Sequence, residues 1–81
     1  MRIEVLFFAQ LKDALGRDRE VIEIEDGRTI DDVVASLRER REWQRVAALP
    51  LTFAVNEAAA PGSRALRHGD RLALLTPFSG G

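Results

Sequence analysis

The segment "DGRTIDDVVASLRERREW" (residues 26–43) predicts the main helix of this chain, and the helix decides the fold. Thr29 is typical of an N-cap, and Asp31 and Asp32 follow in the first turn, where carboxylates favour the helix dipole. We expect the helix to pack its apolar stripe on a sheet, and Trp43 and Val46 to extend that stripe. The stripe recurs at helical spacing: Ile30, Val33, Val34 and Leu37.

Segments of alternating polarity on both sides of this helix predict strands. A short helix is expected over residues 9–15, with Gly16 ending it in the left-handed conformation. Asn56 and Glu57 suit a turn, and residues 60–66 are expected to form a loop. This order of elements favours an α+β fold, in which a mixed sheet of four or five strands carries one main amphipathic helix on one face. The predicted strands are "RIEVLFF" (2–8), "EVIEIE" (20–25), "LTFAVN" (51–56) and "RLALLT" (71–76).

The composition is that of one small globular domain. The 81 residues are 46% hydrophobic and carry a formal net charge of -1, and the basic run "RERRE" (38–42) is interrupted by acids. We interpret it as a solvated helix face, so neither nucleic acid nor membrane is an expected partner. There is no cysteine. The start "MRIEVLFF" does not resemble a signal peptide, and a cytoplasmic location is expected.

The side chains that usually carry catalysis are scattered. The one histidine, His68, lies in a predicted turn, and we expect it to be an exposed turn residue. No metal-ligand cluster, nucleophile triad or phosphate-binding glycine motif is evident, so no bound metal or cofactor is expected. The pattern favours a protein that other enzymes act on over an enzyme in its own right.

The ending "TPFSGG" (76–81) is the chemically informative segment. Pro77 is expected to stop the last strand. This predicts a folded domain over residues 1–77 and a flexible tail over residues 78–81. Gly80 and Gly81 have no side chains, so such a tail can enter a narrow channel in another protein. ATP can convert the terminal carboxylate of Gly81 to an acyl-adenylate, and a sulfur donor can then displace AMP to leave a thiocarboxylate.

Five segments together resemble the molybdopterin synthase small subunits, which are sulfur carriers of the ubiquitin-like ThiS/MoaD family. The resemblance spans essentially the whole chain and implies the β-grasp fold. The ending is its most specific part. The segments are "VLFFAQLKDALG" (5–16), "TIDDVVASL" (29–37), "AVNE" (54–57), "LRHGDRLALL" (66–75) and "PFSGG" (77–81).

The resemblance implies a sulfur-transfer role for Gly81, with Gly80 as part of the inserted tail. An adenylyltransferase related to ubiquitin-activating enzymes would use ATP to activate Gly81, and a sulfurtransferase would supply the sulfur. The tail would then enter the molybdopterin synthase large subunit, where two transfers to a cyclic pterin precursor build the dithiolene. The catalytic side chains are expected on that large subunit, and the assembly is expected to be a heterotetramer.

The resemblance also implies a docking patch for these partners. It assigns partner binding to Phe8 and Leu75, which alternation places opposite the buried face, and to Ala59, which is smaller than the hydrophobe often found there. The tail departs from the family's common ending, because Thr76 replaces a proline and the bulky Phe78 replaces a small aliphatic residue. The implied partner-binding residues are Phe8, Ala59, Leu75, Pro77, Phe78 and Ser79.

Three other functions remain compatible with the sequence. A sulfur carrier could serve thiamin, cysteine or tRNA thiolation. A ubiquitin-like modifier would join Gly81 to lysines of other proteins. A plain β-grasp binding domain would carry an inert tail. Removal of Gly80 and Gly81 separates the last of these from the others.

Overall fold

The computed structural model describes residues 1–77. The tail residues 78–81, on which the predictions for Phe78, Ser79, Gly80 and Gly81 fall, lie outside the described residues. A 3₁₀ turn, Arg41–Trp43, follows the second helix. In chain order the elements are β1 Arg2–Phe7, α1 Ala9–Leu15, β2 Arg19–Glu23, α2 Ile30–Arg38, β3 Thr52–Val55, β4 Ala58–Ala60 and β5 Arg71–Leu75.

The described strands form one mixed sheet in the order β2-β1-β5-β3-β4. The central pair, β1 and β5, is parallel, and the other pairs are antiparallel. Because β1 and β5 run the same way, their carboxyl ends meet at one edge of the sheet. The segment that follows β5 therefore begins at the end of the sheet where β1 also ends and α1 begins.

The hydrophobic core lies between one face of the sheet and the helices. Alternation buries one side of each central strand, and α2 contributes the predicted stripe. Trp43 is fully buried and meets Phe7 edge to face, with ring centroids 6.0 Å apart. The largest fully buried side chains are Trp43, Phe7, Ile3, Leu11, Ile30, Leu37, Leu72, Leu74 and Val5.

The start of α2 is as predicted, but its end is not. Thr29 accepts a hydrogen bond from the backbone N–H of Asp32 at 3.2 Å, and the Asp32 carboxylate accepts one from the N–H of Thr29 at 3.0 Å. The prediction of one helix through Trp43 was wrong, because α2 ends at Arg38 and Trp43 reaches the core from the separate 3₁₀ turn. In a continued α-helix of 3.6 residues per turn, Trp43 would lie on the side away from the buried stripe, so the break allows its ring to enter the core.

The strand β4 was missed, because residues 60–66 were expected to be loop and three alanines gave no strand signal. The predicted turn at Asn56 and Glu57 is confirmed, and both have positive φ, at 51° and 73°. Such a two-residue turn matches the twist of a hairpin. It folds Ala58–Ala60 back onto β3, with Ala59 opposite Ala54.

Candidate functional site

The face of the sheet away from the helices is divided along its length into an apolar end and a charged end. Strand pairing sets Leu6 beside Ala73, Ala73 beside Ala54, and Ala54 beside Ala59. Two residues further towards the carboxyl ends of β1 and β5, Leu75 pairs with Thr52. Two residues towards their amino ends, Glu4 pairs with Arg71 on one side and with Val21 on the other.

Phe8 lies at the apolar end. Its backbone is extended, with φ -129° and ψ 159°, so its side chain continues the alternation of β1 onto the outer face. Phe7 pairs with Leu74, which brings Phe8 to the level of Leu75. The Phe8 side chain is 44% exposed. We call Leu6, Phe8, Ala54, Ala59, Ala73 and Leu75 the apolar patch.

The residue after Phe8 is held in an unusual conformation. Ala9 has φ 48°, a left-handed value that destabilises a non-glycine residue by about 1 kcal/mol or more. This bend separates β1 from α1 and leaves Phe8 outside both elements. The α1 helix then ends as predicted, with Gly16 at φ 73° and its N–H donating to the carbonyl of Lys12.

The charged end of the outer face holds alternating ion pairs. One carboxylate oxygen of Glu4 lies 3.2 Å from Arg71 Nε, and the other lies 3.6 Å from the Arg19 guanidinium. Arg2 Nε is 3.1 Å from a carboxylate oxygen of Glu23. Three arginines and two glutamates alternate here, so the excess is a single positive charge, which is much less than a polyanion-binding surface carries.

A buried carboxylate fixes the turn that leads into β5. Asp70 is 6% exposed and accepts hydrogen bonds from the N–H of Arg67 at 2.8 Å, from Asn56 at 3.0 Å and from Arg64 at 3.2 Å. Burial opposes its ionisation, but these donors outweigh burial and hold the pKa of the Asp70 carboxyl below its ordinary value. Asn56 in turn accepts from the N–H of Arg71. These hydrogen bonds join the turn at Asn56 to the turn before β5, so we interpret the network as structural.

The structure brings together some of the predicted partner-binding residues. Phe8 and Leu75 lie at the same level of the sheet at the apolar end, while Ala59 lies beyond β3 on the edge strand β4. Pro77 is exposed after the end of β5. The sequence reasoning missed Ala54 and Ala73, because alternation assigns faces but cannot say which strands are neighbours.

The predicted turn residue His68 lies away from this patch. His68 is exposed as expected, and its Nδ1 accepts a hydrogen bond from the N–H of Arg2 at 3.0 Å.

Within residues 1–77, no group of three potential metal ligands comes together. None of the helices in that same range is long and apolar enough to cross a membrane.

The order of the strands, the helix across one face and the patch beside the end of β5 define a ubiquitin-like β-grasp protein. The fold agrees with that of SAMP1 from Haloferax volcanii, which matches with a TM-score of 0.82 over all of both chains at 24% identity. It also agrees with a molybdopterin-converting factor from Helicobacter pylori, solved as a complex of its subunits 1 and 2. That match has a TM-score of 0.70 over all of both chains at 23% identity.

The family can be stated more narrowly. The ThiS family model matches residues 5–81, and this chain belongs to the ThiS family. The molybdopterin synthase sulfur carrier subunit of Chlamydomonas reinhardtii is 31% identical to it, with all of both chains covered. The predicted family and the β-grasp fold are therefore confirmed.

Proposed function

We propose that this protein is the sulfur carrier subunit of a molybdopterin synthase, with the carboxylate of Gly81 as the group that carries sulfur. The observation that supports this most strongly is the full-length match to the sulfur carrier subunit from Chlamydomonas reinhardtii, together with a family match that reaches Gly81. The proposal takes Gly81 as the last residue of the mature protein, which an intact mass measurement checks directly.

The chemistry proceeds in three steps. The Gly81 carboxylate attacks the α-phosphate of ATP on an activating enzyme, forming an acyl-adenylate and releasing pyrophosphate. A sulfide equivalent from a sulfurtransferase then adds to the acyl carbon and AMP leaves, so the product is a thiocarboxylate. In the synthase, the thiocarboxylate sulfur attacks an oxygen-bearing carbon of the cyclic pterin precursor, and the oxygen substituent of that carbon leaves. Water then hydrolyses the resulting thioester between sulfur and the Gly81 acyl carbon, which leaves the sulfur on the pterin and restores the Gly81 carboxylate. The absence of a side chain on Gly81 leaves its carbonyl open to each attack.

The apolar patch is the surface that we assign to the synthase large subunit. Phe8 is an exposed aromatic residue at the level of Leu75, and aromatic residues are enriched among those that dominate protein interfaces. The patch lies at the end of the sheet where β5 ends, two residues before the last described residue, Pro77. A partner seated on it would have its channel within reach of the tail, and binding would not disturb the core on the other face.

Deletion of Gly81 tests the sulfur-carrying group. The protein is incubated with activating enzyme, ATP and a sulfide source, and intact mass spectrometry follows replacement of one oxygen by sulfur. We expect complete loss of this conversion in the deletion variant and an unchanged melting temperature. Asp13→Asn, at an exposed position on α1, is the folded control and should convert normally.

The thiocarboxylate form is then mixed with the large subunit and the cyclic pterin precursor, and the dithiolene product is measured in a single turnover. Product formation supports the proposed pathway. If the large subunit works with another carrier but not with this one, the acceptor belongs to another thiolation pathway. Normal sulfur loading of the protein that lacks Gly81 would refute the proposal altogether.

A matched pair of variants tests the docking surface. Phe8 and Val21 are the two large hydrophobics exposed on the described residues, at 44% and 57%, and they lie at opposite ends of the same face. Phe8→Ser should weaken binding of the large subunit by about tenfold or more, as loss of an aromatic anchor does. Val21→Ser should leave the affinity unchanged in titration calorimetry. Equal losses would place the interface elsewhere.

A further inference from the structure

The strand β2 presents a free edge that the proposed sulfur-transfer function does not use. It is the terminal strand of the sheet, and within residues 1–77 no strand pairs with its outer side. It also carries Val21, the more exposed of the two large hydrophobics on the described residues. An edge strand of this kind is a template for pairing with another chain unless the sequence blocks it.

The hydrogen-bonding pattern shows which residues of β2 face the free edge. Met1 and Ile24 exchange both backbone hydrogen bonds, at 2.6 and 2.8 Å, so they form a hydrogen-bonded pair of the β1–β2 ladder. Such pairs alternate along an antiparallel ladder. Ile22 and Glu20 therefore bond to β1, whereas the backbone groups of Arg19, Val21 and Glu23 point outward.

A second copy of the same strand fits this edge in one register. When two β2 strands run antiparallel about a two-fold axis at Val21, each Arg19 faces Glu23 of the other copy. Val21 faces Val21 of the second copy at the axis. These three pairs use the backbone groups that point outward, and each pair exchanges two hydrogen bonds. Their side chains all lie on the outer face.

The side chains in this register are complementary. Opposite charges directly across an antiparallel pair stabilise it, and so do β-branched residues. Arg19 and Glu23 have highly exposed side chains, and each makes its present ion pair with β1. The net charge of -1 adds little repulsion between copies. On the helix side of the strand, Glu20 would face Ile22 of the second copy, so no like charges oppose one another.

We propose that the β2 edge is a self-association site, at which two copies pair β2 to β2 and join their sheets into one. The interface is small, so we expect weak association with a Kd of roughly 0.1–1 mM. The apolar patch lies across β1, β5, β3 and β4, so a dimer of this kind leaves the patch open. The inference does not depend on the proposed sulfur chemistry.

Charge reversal at two positions tests the register. Sedimentation and NMR at about 0.05–1 mM should show the wild-type mass rising from 9.0 kDa towards twice that value. Arg19→Glu alone opposes two carboxylates at each end of the pair, and Glu23→Arg alone opposes two guanidinium groups. Each single variant should raise the Kd by about tenfold or more. A mixture of the two single variants should form a mixed dimer, because every pair is then opposite in charge.

The double variant Arg19→Glu/Glu23→Arg should dimerise like the wild type. Arg71→Glu is the matched control, since Arg71 also pairs with Glu4 on the outer face but lies on the internal strand β5. Its dimerisation should not change, and thermal melts establish that all variants are folded. A wild type that stays at 9.0 kDa at about 1 mM would overturn the proposal. A dimer that ignores these charges but is lost in Leu75→Glu would also overturn it.

Discussion

The two faces of the sheet are built from the same strands, but one stabilises the fold and the other is available for binding. Along β5, Leu72 and Leu74 are fully buried under the helices, while Ala73 and Leu75 are half-buried on the outer face. The inner face is apolar along the central strands β1 and β5, and Glu20 lies at its margin on β2 with ion pairs to Arg17 and Arg40. The outer face is apolar at one end and ionic at the other. Neighbouring residues of one strand can therefore differ in whether they stabilise the fold or remain available to a partner.

This difference follows from what covers each face. The helices remove the inner side chains from water, and burial of apolar area is the main contribution to stability. The outer face has no such cover among the described residues, so a side chain there contributes less to folding. It can still contribute to binding if a partner covers it later.

The largest expected effect that separates the faces comes from the adjacent residues Leu74 and Leu75. Leu74→Ala leaves a cavity in the core and should lower the free energy of unfolding by about 2–5 kcal/mol. Leu75→Ala removes a half-buried side chain and should lower it by about 1 kcal/mol. Urea denaturation followed by circular dichroism measures both values.

Binding should show the reverse order. Without urea, and at a temperature where both variants are folded, Leu75→Ala should weaken the affinity for the large subunit more than Leu74→Ala does. Equal losses of stability in the two variants would contradict the separation of the two faces. A greater loss of affinity in Leu74→Ala would contradict the proposed patch.

Much of the two-faced arrangement could be predicted from the sequence. Alternation in "RIEVLFF" and "RLALLT" assigned Phe8 and Leu75 to the face opposite the core, and the structure agrees. The stripe of α2 and its N-cap were also predicted, because both depend on local spacing. Periodicity is sufficient where the deciding interactions lie within one element.

The rest depended on contacts that are distant in sequence. The end of α2 could not be predicted, since no glycine or proline marks it and the charged residues after it suit a helix; packing of Trp43 against Phe7 decides it. The strand β4 forms because a positive-φ turn pairs it with β3, not because alanine favours strands. The tail prediction stays a prediction, because residues 78–81 lie outside the described part of the chain.

The same change of a carboxylate to an amide, once in the buried turn before β5 and once on the outer face, gives a smaller and sharper test. Asp70→Asn removes the charge from a buried acceptor of three hydrogen bonds and should lower the free energy of unfolding by about 1–3 kcal/mol at pH 7. Because the folded-state pKa of Asp70 is lowered, its stabilising contribution is present above the unfolded pKa. It is lost as the pH falls through the folded value. The deficit of Asp70→Asn relative to wild type should therefore shrink below about pH 4.

Glu4→Gln makes the corresponding change on the outer face, where the carboxylate lies between Arg71 and Arg19 on the surface of the sheet. Surface ion pairs contribute about 0–1 kcal/mol, and salt screens them. We expect the smallest loss of stability here, and it should decrease further when sodium chloride is raised from about 0.1 to 1 M. Asp70→Asn should keep most of its loss at high salt, because the Asp70 carboxylate is buried and its interactions are direct hydrogen bonds. A larger loss in Glu4→Gln, or one that salt does not reduce, would show that the charged end of the outer face stabilises the fold as the inner face does. The separation between a stabilising face and a binding face would then hold only for the apolar patch.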